Sequence, residues 1–295
     1  MPQILSGKEV SLSLNEKIAA RVAELKAQTG RVPHLVAILV GNDGASQTYV
    51  GAKEKACETV GFDSSIMRFD ASISQEELLK EIDRINGDDQ YDGLIVQLPL
   101  PKHIDEEVVT HAIHTDMDVD GFHDINMGKL AKGNPGVKPA TPYGITLMLK
   151  HYGIETSGKH VVVLGRSNIV GRPMSLLLSD SSDTGNATVT LCHSRTRNLA
   201  EYTRQADILV VALGKPEFVG ADLVKPGAVV IDVGTTRVDD ASRERGWRLT
   251  GDVNYAEVSP IASAITPVPG GVGPMTISGL MMNTLQAFER KVQNA

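Results

Sequence analysis

The sequence predicts an α/β fold in two domains, each built on a parallel β-sheet. Short apolar runs of strand length alternate with amphipathic stretches of helical length, and no tight-turn signal joins the runs into hairpins. Strands separated in this way pair in parallel through crossover helices. The alternation occurs on both sides of a glycine- and proline-rich stretch from Thr115 to Thr141 that has little periodicity. A chain of 295 residues is long enough for two ordinary domains, so we expect a domain junction in this stretch.

The first domain is predicted to start with a helix over residues 8–29, where apolar residues recur at helical spacing before Gly30. A buried strand follows in HLVAILVG, then a helix in ASQTYVGAKEKACETVG that stops at Gly61, then a strand in SSIMRFD. The next helix lies in SQEELLKEIDRING, where Ser74 and Glu77 fit a capping box. A third strand in YDGLIVQLPLP ends the series.

The second domain is predicted to begin with a bridging helix in TPYGITLMLKHYG. Strands follow in KHVVVLG, ATVTLCHS, DILVVALG and AVVIDVG, with helices after Gly171 and in NLAEYTRQ. A stiff loop, ITPVPGGVGP, leads to a final helix in MTISGLMMNTLQAFERKVQNA, whose apolar residues share one face. These patterns place the domain boundary between residues 139 and 140.

Composition and charge exclude several classes of protein. The formal charge of −7 and the absence of a basic block argue against a nucleic acid as partner. The two cysteines, Cys57 and Cys192, are too far apart in sequence for a CxxC motif, which favours a reducing cytoplasm over an oxidising compartment. The N-terminus has no signal-peptide pattern and no apolar run is long enough to span a membrane, so we expect neither export nor membrane insertion.

A glycine turn follows the first strand of the second domain, in VVVLGRSNIVGRP. Gly165 and Gly171 can bracket a nucleotide-binding turn, although an arginine and a serine follow Gly165 where a dinucleotide fingerprint has a second glycine. The next strand ends near Ser194 and Arg195 and lacks the carboxylate that usually binds the ribose of NAD. Together with Arg166, this pattern favours NADP over NAD. The alternative is an α/β turn that binds no cofactor.

Four polar residues of the first domain are candidates for a site. Tyr49 and Lys53 share one face of the second helix. The pair fits the YxxxK motif of short-chain dehydrogenases, but there the glycine turn comes first, so that class is rejected. Gln97 ends the third strand, where open α/β sheets bind ligands, and Asp120 lies at the junction. The alternatives are a surface lysine lying over a tyrosine ring, and loop-capping roles for Gln97 and Asp120.

The stretch DMDVDGFHDINM opens like a calcium-binding loop, with carboxylates and a glycine in the expected places. The last position should hold a bidentate glutamate, and Met127 stands there instead. No metal site is therefore predicted.

Taken together, the segments resemble the bifunctional methylenetetrahydrofolate dehydrogenase/cyclohydrolase family over nearly the whole chain. The resemblance is carried, in order, by VGNDGASQTYVGAKEKACETVGF, DGLIVQLPLPKHID, DVDGFHDINMGKL, TPYGITLMLKHYGI, VVVLGRSNIVGRPMSLLL, ATVTLCHSRT, GAVVIDVGTTRV, GDVNY and ITPVPGGVGPMT. It implies a folate-binding catalytic domain over residues 1–139, joined by the C-terminal helix 275–295, and a Rossmann-like NADP-binding domain over residues 140–274. The resemblance also implies a cleft between the two domains.

What the resemblance implies for activity is oxidation of 5,10-methylenetetrahydrofolate by NADP, followed by hydrolysis of the methenyl product to 10-formyltetrahydrofolate. Lys53 is then the acid/base residue of the hydrolysis, Tyr49 lies against the folate, Gln97 holds the lysine, and Asp120 binds the pterin edge. The NADP-binding positions are Gly165, Arg166, Ser167, Ser194 and Thr235. The folate cleft is lined by backbone from Pro269, Gly270 and Gly271.

The resemblance further implies tetrahydrofolate derivatives as the ligands, a homodimer, and a place in one-carbon metabolism and purine biosynthesis. Two other classes of function stay open. One is a dehydrogenase of a small carbocyclic acid, which the PVPGGVGP loop and VQLPLP count against. The other is a non-catalytic NADP-responsive regulator, which the presence of Lys53 and its neighbours counts against.

Overall fold

The computed structural model describes residues 1–294, which form two compact units. One unit consists of Met1–Ser11 and Thr141–Thr276, and the other of Leu12–Ala140 and the chain from Ile277 onward. Residues 1–11 join the unit of 141–276 because β1 (Gln3–Ile4) pairs in parallel with β11 (Ala264–Ile265). The sequence pattern assigns them to the first domain, since a strand this short leaves no detectable alternation.

The unit that contains residues 12–140 is built on three parallel strands and is called the three-stranded unit. Its strands β2 (His34–Val40), β3 (Asp63–Phe69) and β4 (Gly93–Val96) lie in the order β3-β2-β4. The helices of this part of the chain are α1 (Gly7–Thr29), α2 (Gly44–Val60), α3 (Gln75–Asn86), α4 (Glu106–Ala112) and α5 (Asp124–Ala131).

Helices cover both faces of this sheet, as expected for parallel strands. Successive residues of β2 point to opposite faces, so Leu35, Ala37 and Leu39 join one apolar cluster and Val36, Ile38 and Val40 join the other. The first cluster contains α1 and C-terminal-helix residues, among them Ile18, Leu285 and Phe288. The second contains Leu78, Ile82 and Ile85 of α3. β2, which is apolar and buried from Leu35 to Val40, is therefore the centre of the core.

The ends of α2 and α3 are set by local hydrogen bonds. The Asp43 side chain accepts a hydrogen bond from the Ser46 N–H at the start of α2, and Gly61 ends that helix in the left-handed region at φ 81°. At the start of α3, Ser74 and Glu77 form both hydrogen bonds of a capping box. The capping box predicted from the sequence is therefore confirmed.

The second unit is built on six parallel strands and is called the six-stranded unit. Its sheet has the order β1-β11-β8-β7-β5-β6, with β5 (His160–Leu164), β6 (Thr188–Cys192), β7 (Ile208–Val211) and β8 (Val229–Asp232). The helices that follow in the chain are α6 (Ala140–His151), α7 (Gly171–Ser179), α8 (Leu199–Thr203), α9 (Tyr255–Val258) and α10 (Val272–Asn294). From Ile277 onward, α10 belongs to the three-stranded unit. Because β6 and β7 flank β5, the strand order reverses there, which is where doubly wound sheets bind ligands.

An antiparallel hairpin lies between β8 and β11 in the chain and is not predicted by the sequence pattern. It pairs β9 (Thr236–Asp239) with β10 (Trp247–Thr250). Two guanidinium groups pack against the Trp247 ring: the Cζ atom of Arg237 lies 4.4 Å from the ring centroid, and that of Arg245 lies 4.1 Å from it. These strands, TRVD and WRLT, are too short to show the sustained alternation of apolar and polar residues from which strands are predicted. Among the described helices, none is both long and apolar enough to cross a membrane.

Candidate functional site

Lys53 and Gln97 meet at the carboxyl edge of the three-stranded sheet. The backbone N–H of Gln97 donates to the Ile38 carbonyl, at 2.9 Å, which places Gln97 directly beyond the end of β4. The Gln97 side-chain Nε2 donates to the carbonyl of Leu98 at 2.8 Å, so its Oε1 is free to face Lys53. Lys53 Nζ donates to that Oε1 at 3.2 Å, and the lysine side chain is buried. The sheet edge and the Leu98 carbonyl thus fix the acceptor that holds the ammonium.

Asp120 lies on a turn that is fixed by a second carboxylate, Asp118. The buried Asp118 side chain accepts hydrogen bonds from the N–H groups of Gly121, Phe122 and His123, at 3.1, 3.2 and 2.9 Å. Burial raises the pKa of the Asp120 carboxyl, and the positive charge of Lys53 opposes that rise. Asp120 is therefore close enough to Lys53 to interact with it electrostatically.

Tyr49 lies one helical turn before Lys53 on α2, and about half of its surface is exposed. Its exposed phenol ring offers a flat apolar surface on the helix face that also carries Lys53. The three-stranded unit thus brings Lys53, Gln97 and Asp120 close together. Tyr49 lies one turn before Lys53 on α2. No cluster of histidine, cysteine or acidic residues that could hold a metal ion occurs in the described part of the chain.

A cavity of about 280 Å³ opens at the carboxyl ends of β5, β6 and β7 in the six-stranded unit. It contains four of the predicted cofactor residues and lies where the strand order reverses. Its lining residues are Leu164, Gly165, Arg166, Ser167, Cys192, His193, Ser194, Leu199, Ala212, Leu213, Lys215 and Phe218.

The two glycines of the turn after β5 are required by close backbone packing. A Cβ on Gly165 would lie 2.0 Å from the Ala212 carbonyl oxygen, and one on Gly171 would lie 1.9 Å from the Gly165 carbonyl oxygen. Ser167 replaces the usual middle glycine, and its Oγ accepts a hydrogen bond from the Val170 N–H at 3.1 Å. The serine therefore caps the start of α7, where Val170 itself has no capping side chain.

The charges around this cavity suit an anion. Arg166 is exposed and makes no hydrogen bond or ion pair within the described residues, and Lys215 contributes a second cation. None of the residues described as lining the cavity is acidic. Burial raises the pKa of the Cys192 thiol, so this cysteine is a neutral part of the wall. A cavity with two cations and without a carboxylate among its described lining residues fits a phosphorylated ribose better than an unphosphorylated one.

Four predicted residues lie elsewhere in the six-stranded unit, outside this cavity: Thr235, Pro269, Gly270 and Gly271. Thr235 is exposed between β8 and β9. The loop at Gly270 is held by the start of α1, because the Lys8 N–H donates to the Gly270 carbonyl at 3.2 Å. Gly7 is equally constrained, since a Cβ there would lie 1.8 Å from the Gly271 carbonyl oxygen. The roles predicted for these four residues stay predictions.

Sequence reasoning missed His193, Leu213, Lys215 and Phe218, which also line the cavity. The strand DILVVALG is recognisable in the sequence, and residues after such a strand belong to the carboxyl edge of the sheet. That position could have indicated Leu213 and Lys215. Nothing in the sequence marks Phe218, because it is separated from the strand by a loop.

Two domain descriptions of one family match the chain. Residues 5–120 match "Tetrahydrofolate dehydrogenase/cyclohydrolase, catalytic domain". Residues 139–292 match "Tetrahydrofolate dehydrogenase/cyclohydrolase, NAD(P)-binding domain". Together the matches cover most of the chain, in the order expected from the resemblance.

Relatives and solved structures agree with these matches. The chain is 58% identical to "Bifunctional protein FolD" of Cytophaga hutchinsonii, covering 98% of this chain and 100% of the relative. It is 56% identical to the protein of that name from Bacteroides fragilis, covering 98% and 99%.

The bifunctional FolD crystal structure from Campylobacter jejuni matches with a TM-score of 0.92 at 44% identity, covering 98% of this chain and 99% of that one. The FolD of Trypanosoma brucei, solved with NADP cofactor and inhibitor, has a TM-score of 0.92 at 40% identity, covering 99% and 100%. The chain belongs to the tetrahydrofolate dehydrogenase/cyclohydrolase family.

Proposed function

We propose that this chain catalyses both reactions for which its family is named. It oxidises 5,10-methylenetetrahydrofolate to 5,10-methenyltetrahydrofolate with NADP, and it hydrolyses the methenyl compound to 10-formyltetrahydrofolate. The observation that carries the proposal is the 3.2 Å hydrogen bond between Lys53 Nζ and Gln97 Oε1 at a sheet edge, with Asp120 close by. The two reactions make different demands on the protein, and these residues meet the demands of the hydrolysis.

The residues of the six-stranded cavity would hold NADP, which when bound supplies the acceptor for a hydride. The turn at Gly165 lets backbone approach the cofactor closely, and α7 presents its N-terminus there. Arg166 and Ser194 are the residues we assign to the 2'-phosphate, because the guanidinium is free and the wall lacks a carboxylate. Hydride removal leaves a cationic folate and needs no protein group to take up a proton.

The hydrolysis does require proton transfer, and we assign it to Lys53. Water loses a proton as it attacks the methenyl carbon, and a ring nitrogen gains one as the bridge opens. The side-chain oxygen of Gln97, Oε1, accepts one hydrogen bond from Lys53 Nζ and so fixes its position. The other N–H groups of Lys53 stay available. Tyr49 offers its exposed ring to the folate, and Asp120 can accept hydrogen bonds from the amino and N–H groups of a pterin edge.

One assay tests the proposal directly. The purified protein is incubated with 5,10-methylenetetrahydrofolate and NADP while methenyl absorbance and NADPH are recorded, and methenyltetrahydrofolate is then supplied alone without NADP. We expect NADPH formation in the first experiment and faster-than-background loss of methenyl absorbance in the second. A protein that binds NADP but turns over neither folate would be a regulator, and the proposed function would be wrong.

We further propose a cytoplasmic homodimer that supplies 10-formyl groups for purine biosynthesis. The cytoplasmic assignment is supported by the free and buried Cys57 and Cys192, which a reducing compartment preserves. The dimer is supported only by the family resemblance, and light scattering of the purified protein measures it. Growth of a strain lacking this gene, with and without added purines, tests the place in metabolism.

A further inference from the structure

The loop that follows β7 is held by one buried carboxylate, that of Asp252. The N–H groups of Leu213 and Gly214 donate to Asp252 Oδ2 at 2.6 and 2.9 Å, and the N–H of Lys215 donates to Oδ1 at 2.7 Å. Asp252 is fully buried, at 0% exposure. Hydrogen bonds to an ionised carboxylate are among the strongest that a backbone N–H makes. Three consecutive amides of the loop are thus bound by a single side chain.

The backbone around Asp252 holds the same loop further along. The Val219 N–H donates to the Asp252 carbonyl and the Glu217 N–H to the Gly251 carbonyl, each at 2.9 Å. Asp252 is itself fixed, because its N–H donates to Asp232 Oδ1 at 2.9 Å. The loop is therefore bound to the segment at 251–252 along most of its length.

Two glycines pack closely against the buried carboxyl groups of Asp252 and Asp232. A Cβ on Gly234 would lie 2.4 Å from the Asp252 Cγ, and one on Gly251 would lie 1.8 Å from Asp232 Oδ2. Only glycine therefore fits beside the Asp252 carboxyl at position 234 and beside the Asp232 carboxyl at position 251. The Asp252 carboxylate is thus closely packed, and three loop amides are arranged around it.

The held loop forms one wall of the cofactor cavity. Ala212, Leu213 and Lys215 line that cavity, whereas Asp252 does not. The Ala212 carbonyl oxygen also packs against Gly165, where a Cβ would lie 2.0 Å away. A shift of this loop would therefore change both the wall at Lys215 and the turn at Gly165.

We propose that Asp252 is a positioning residue for NADP: it fixes the Ala212–Lys215 loop as the wall against which the cofactor binds. This inference rests on the proposed function, since it takes NADP as the occupant of the cavity. Removing the carboxylate leaves loop amides without their acceptor, so the loop adopts other positions and the cavity loses its shape. Asp252 touches none of the residues assigned to the hydrolysis, which needs no cofactor.

The experiment compares Asp252→Ala, Asp252→Asn and the control Asp207→Asn. Asp207 also accepts a backbone hydrogen bond, from the His160 N–H at 2.9 Å, but at the amino end of the strands. Calorimetry gives the Kd for NADP, kinetics give KM for NADP and for the folate, and methenyltetrahydrofolate hydrolysis without NADP is the internal reference. Thermal unfolding measures what each substitution does to the fold.

We expect Asp252→Ala to raise the Kd and the KM for NADP by about tenfold or more. Asp252→Asn, which keeps one acceptor oxygen, should raise them less. The KM for folate and the rate of hydrolysis per folded molecule should stay within about twofold for both variants, and Asp207→Asn should leave the NADP Kd within about twofold. A positioning role predicts that NADP affinity falls in a graded way while hydrolysis is kept. A purely structural role predicts that both fall together.

Three results would overturn the inference. The first is a folded Asp252→Ala protein with the wild-type Kd for NADP. The second is a loss of NADP binding that parallels loss of hydrolysis in every variant. The third needs no variant: in the wild-type protein without NADP, the amides of Leu213, Gly214 and Lys215 should exchange hydrogen slowly, and unprotected exchange would show that the hydrogen bonds do not form. Each of these results refutes the positioning role of Asp252 and leaves the proposed function standing. A wild-type protein that does not bind NADP would refute both the proposed function and the positioning role, so the two failures are distinguishable.

Discussion

Lys53 is, in our proposal, the acid/base residue of the hydrolysis. Lys53 is a buried residue, and its Nζ lies 3.2 Å from Gln97 Oε1, a position that suits the proton transfer we propose. Replacing it with methionine keeps the apolar stem and removes the amine. We expect hydrolysis to fall roughly 100- to 10,000-fold. The dehydrogenase reaction should survive in part, because hydride removal requires alignment of the folate but no proton acceptor.

The measurement is the coupled assay, in which Lys53→Met should accumulate methenyltetrahydrofolate. Lys55→Met is the control, since Lys55 is exposed on the same helix and should leave both rates unchanged. A folded, NADP-binding Lys53→Met protein that hydrolyses methenyltetrahydrofolate at the wild-type rate would exclude Lys53 as the acid/base residue.

Arg166 determines, in our proposal, which dinucleotide is used. A hydrogen bond to a charged group is worth about 1.5 to 3 kcal/mol, or about tenfold to over a hundredfold in affinity. NADP should therefore exceed NAD in kcat/KM by about tenfold or more, and Arg166→Ala should narrow that ratio by lowering the NADP value alone. Arg243→Ala, an exposed arginine of the β9–β10 turn, is the control. Equal use of the two cofactors by the wild type would contradict the assignment.

At the scale of elements, the capping box of α3 is a local device whose removal should cost stability without affecting the site. Ser74 Oγ accepts from the Glu77 N–H at 3.2 Å, and Glu77 Oε2 accepts from the Ser74 N–H at 3.0 Å. Ser74→Ala should lower the free energy of unfolding by about 1 kcal/mol. Denaturant unfolding measures the change, and Glu77→Gln, which keeps an acceptor, should cost less. A change in NADP Kd in Ser74→Ala would contradict this independence.

The regular elements could be predicted from the sequence because their signals are local. The apolar run of β2, the stop at Gly61 and the capping box at Ser74 each need only a few neighbouring residues. The helix α5 was missed inside the stretch predicted as a junction, since its glycine and short length hide its periodicity. The β9–β10 hairpin was missed because its contacts between Trp247 and two arginines leave no sustained apolar alternation in the sequence.

The candidate site could be predicted in part, for the same physical reason. Gln97 and Gly165 follow recognisable strands, so the edge of a parallel sheet places them. The contact between Asp252 and the loop at Leu213 joins residues 39 apart in the chain. A contact at that separation leaves no periodic pattern, so only the folded structure identifies it.

At the scale of the whole molecule, the buried carboxyl of Asp232 should make stability depend on pH. Burial raises its pKa from 3.8 to about 6, although the N–H groups of Val253 and Asp252 oppose the rise. The folded state therefore holds this proton more tightly than the unfolded chain. The stability that the proton contributes is present below about pH 4 and is lost as the pH rises through about 6, by up to about 3 kcal/mol.

The comparison is between the wild type and Asp232→Asn, unfolded by denaturant from pH 4 to pH 8. The variant lacks the titrating group. The free energy of unfolding of the wild type, relative to that of the variant, should therefore decrease as the pH rises. Other carboxyls, such as Asp207, titrate in both proteins, so their contributions cancel when the two free energies of unfolding are subtracted. This matters because Lys225 lowers the pKa of Asp207, and the stability that Asp207 contributes is therefore lost as the pH falls. A difference that stays constant, or grows with pH, would show that the amides and not burial dominate at Asp232.

Trp247, the single tryptophan of the sequence, packs against Arg237 and Arg245 on the β9–β10 hairpin. Tryptophan emission from this protein is therefore a signal from one hairpin in the chain. Unfolding curves recorded by emission will report when that hairpin opens, whereas circular dichroism averages the helices of the entire chain. Coincidence of the two curves would show that the chain unfolds as one cooperative system, and separation of the curves would reveal an order of unfolding.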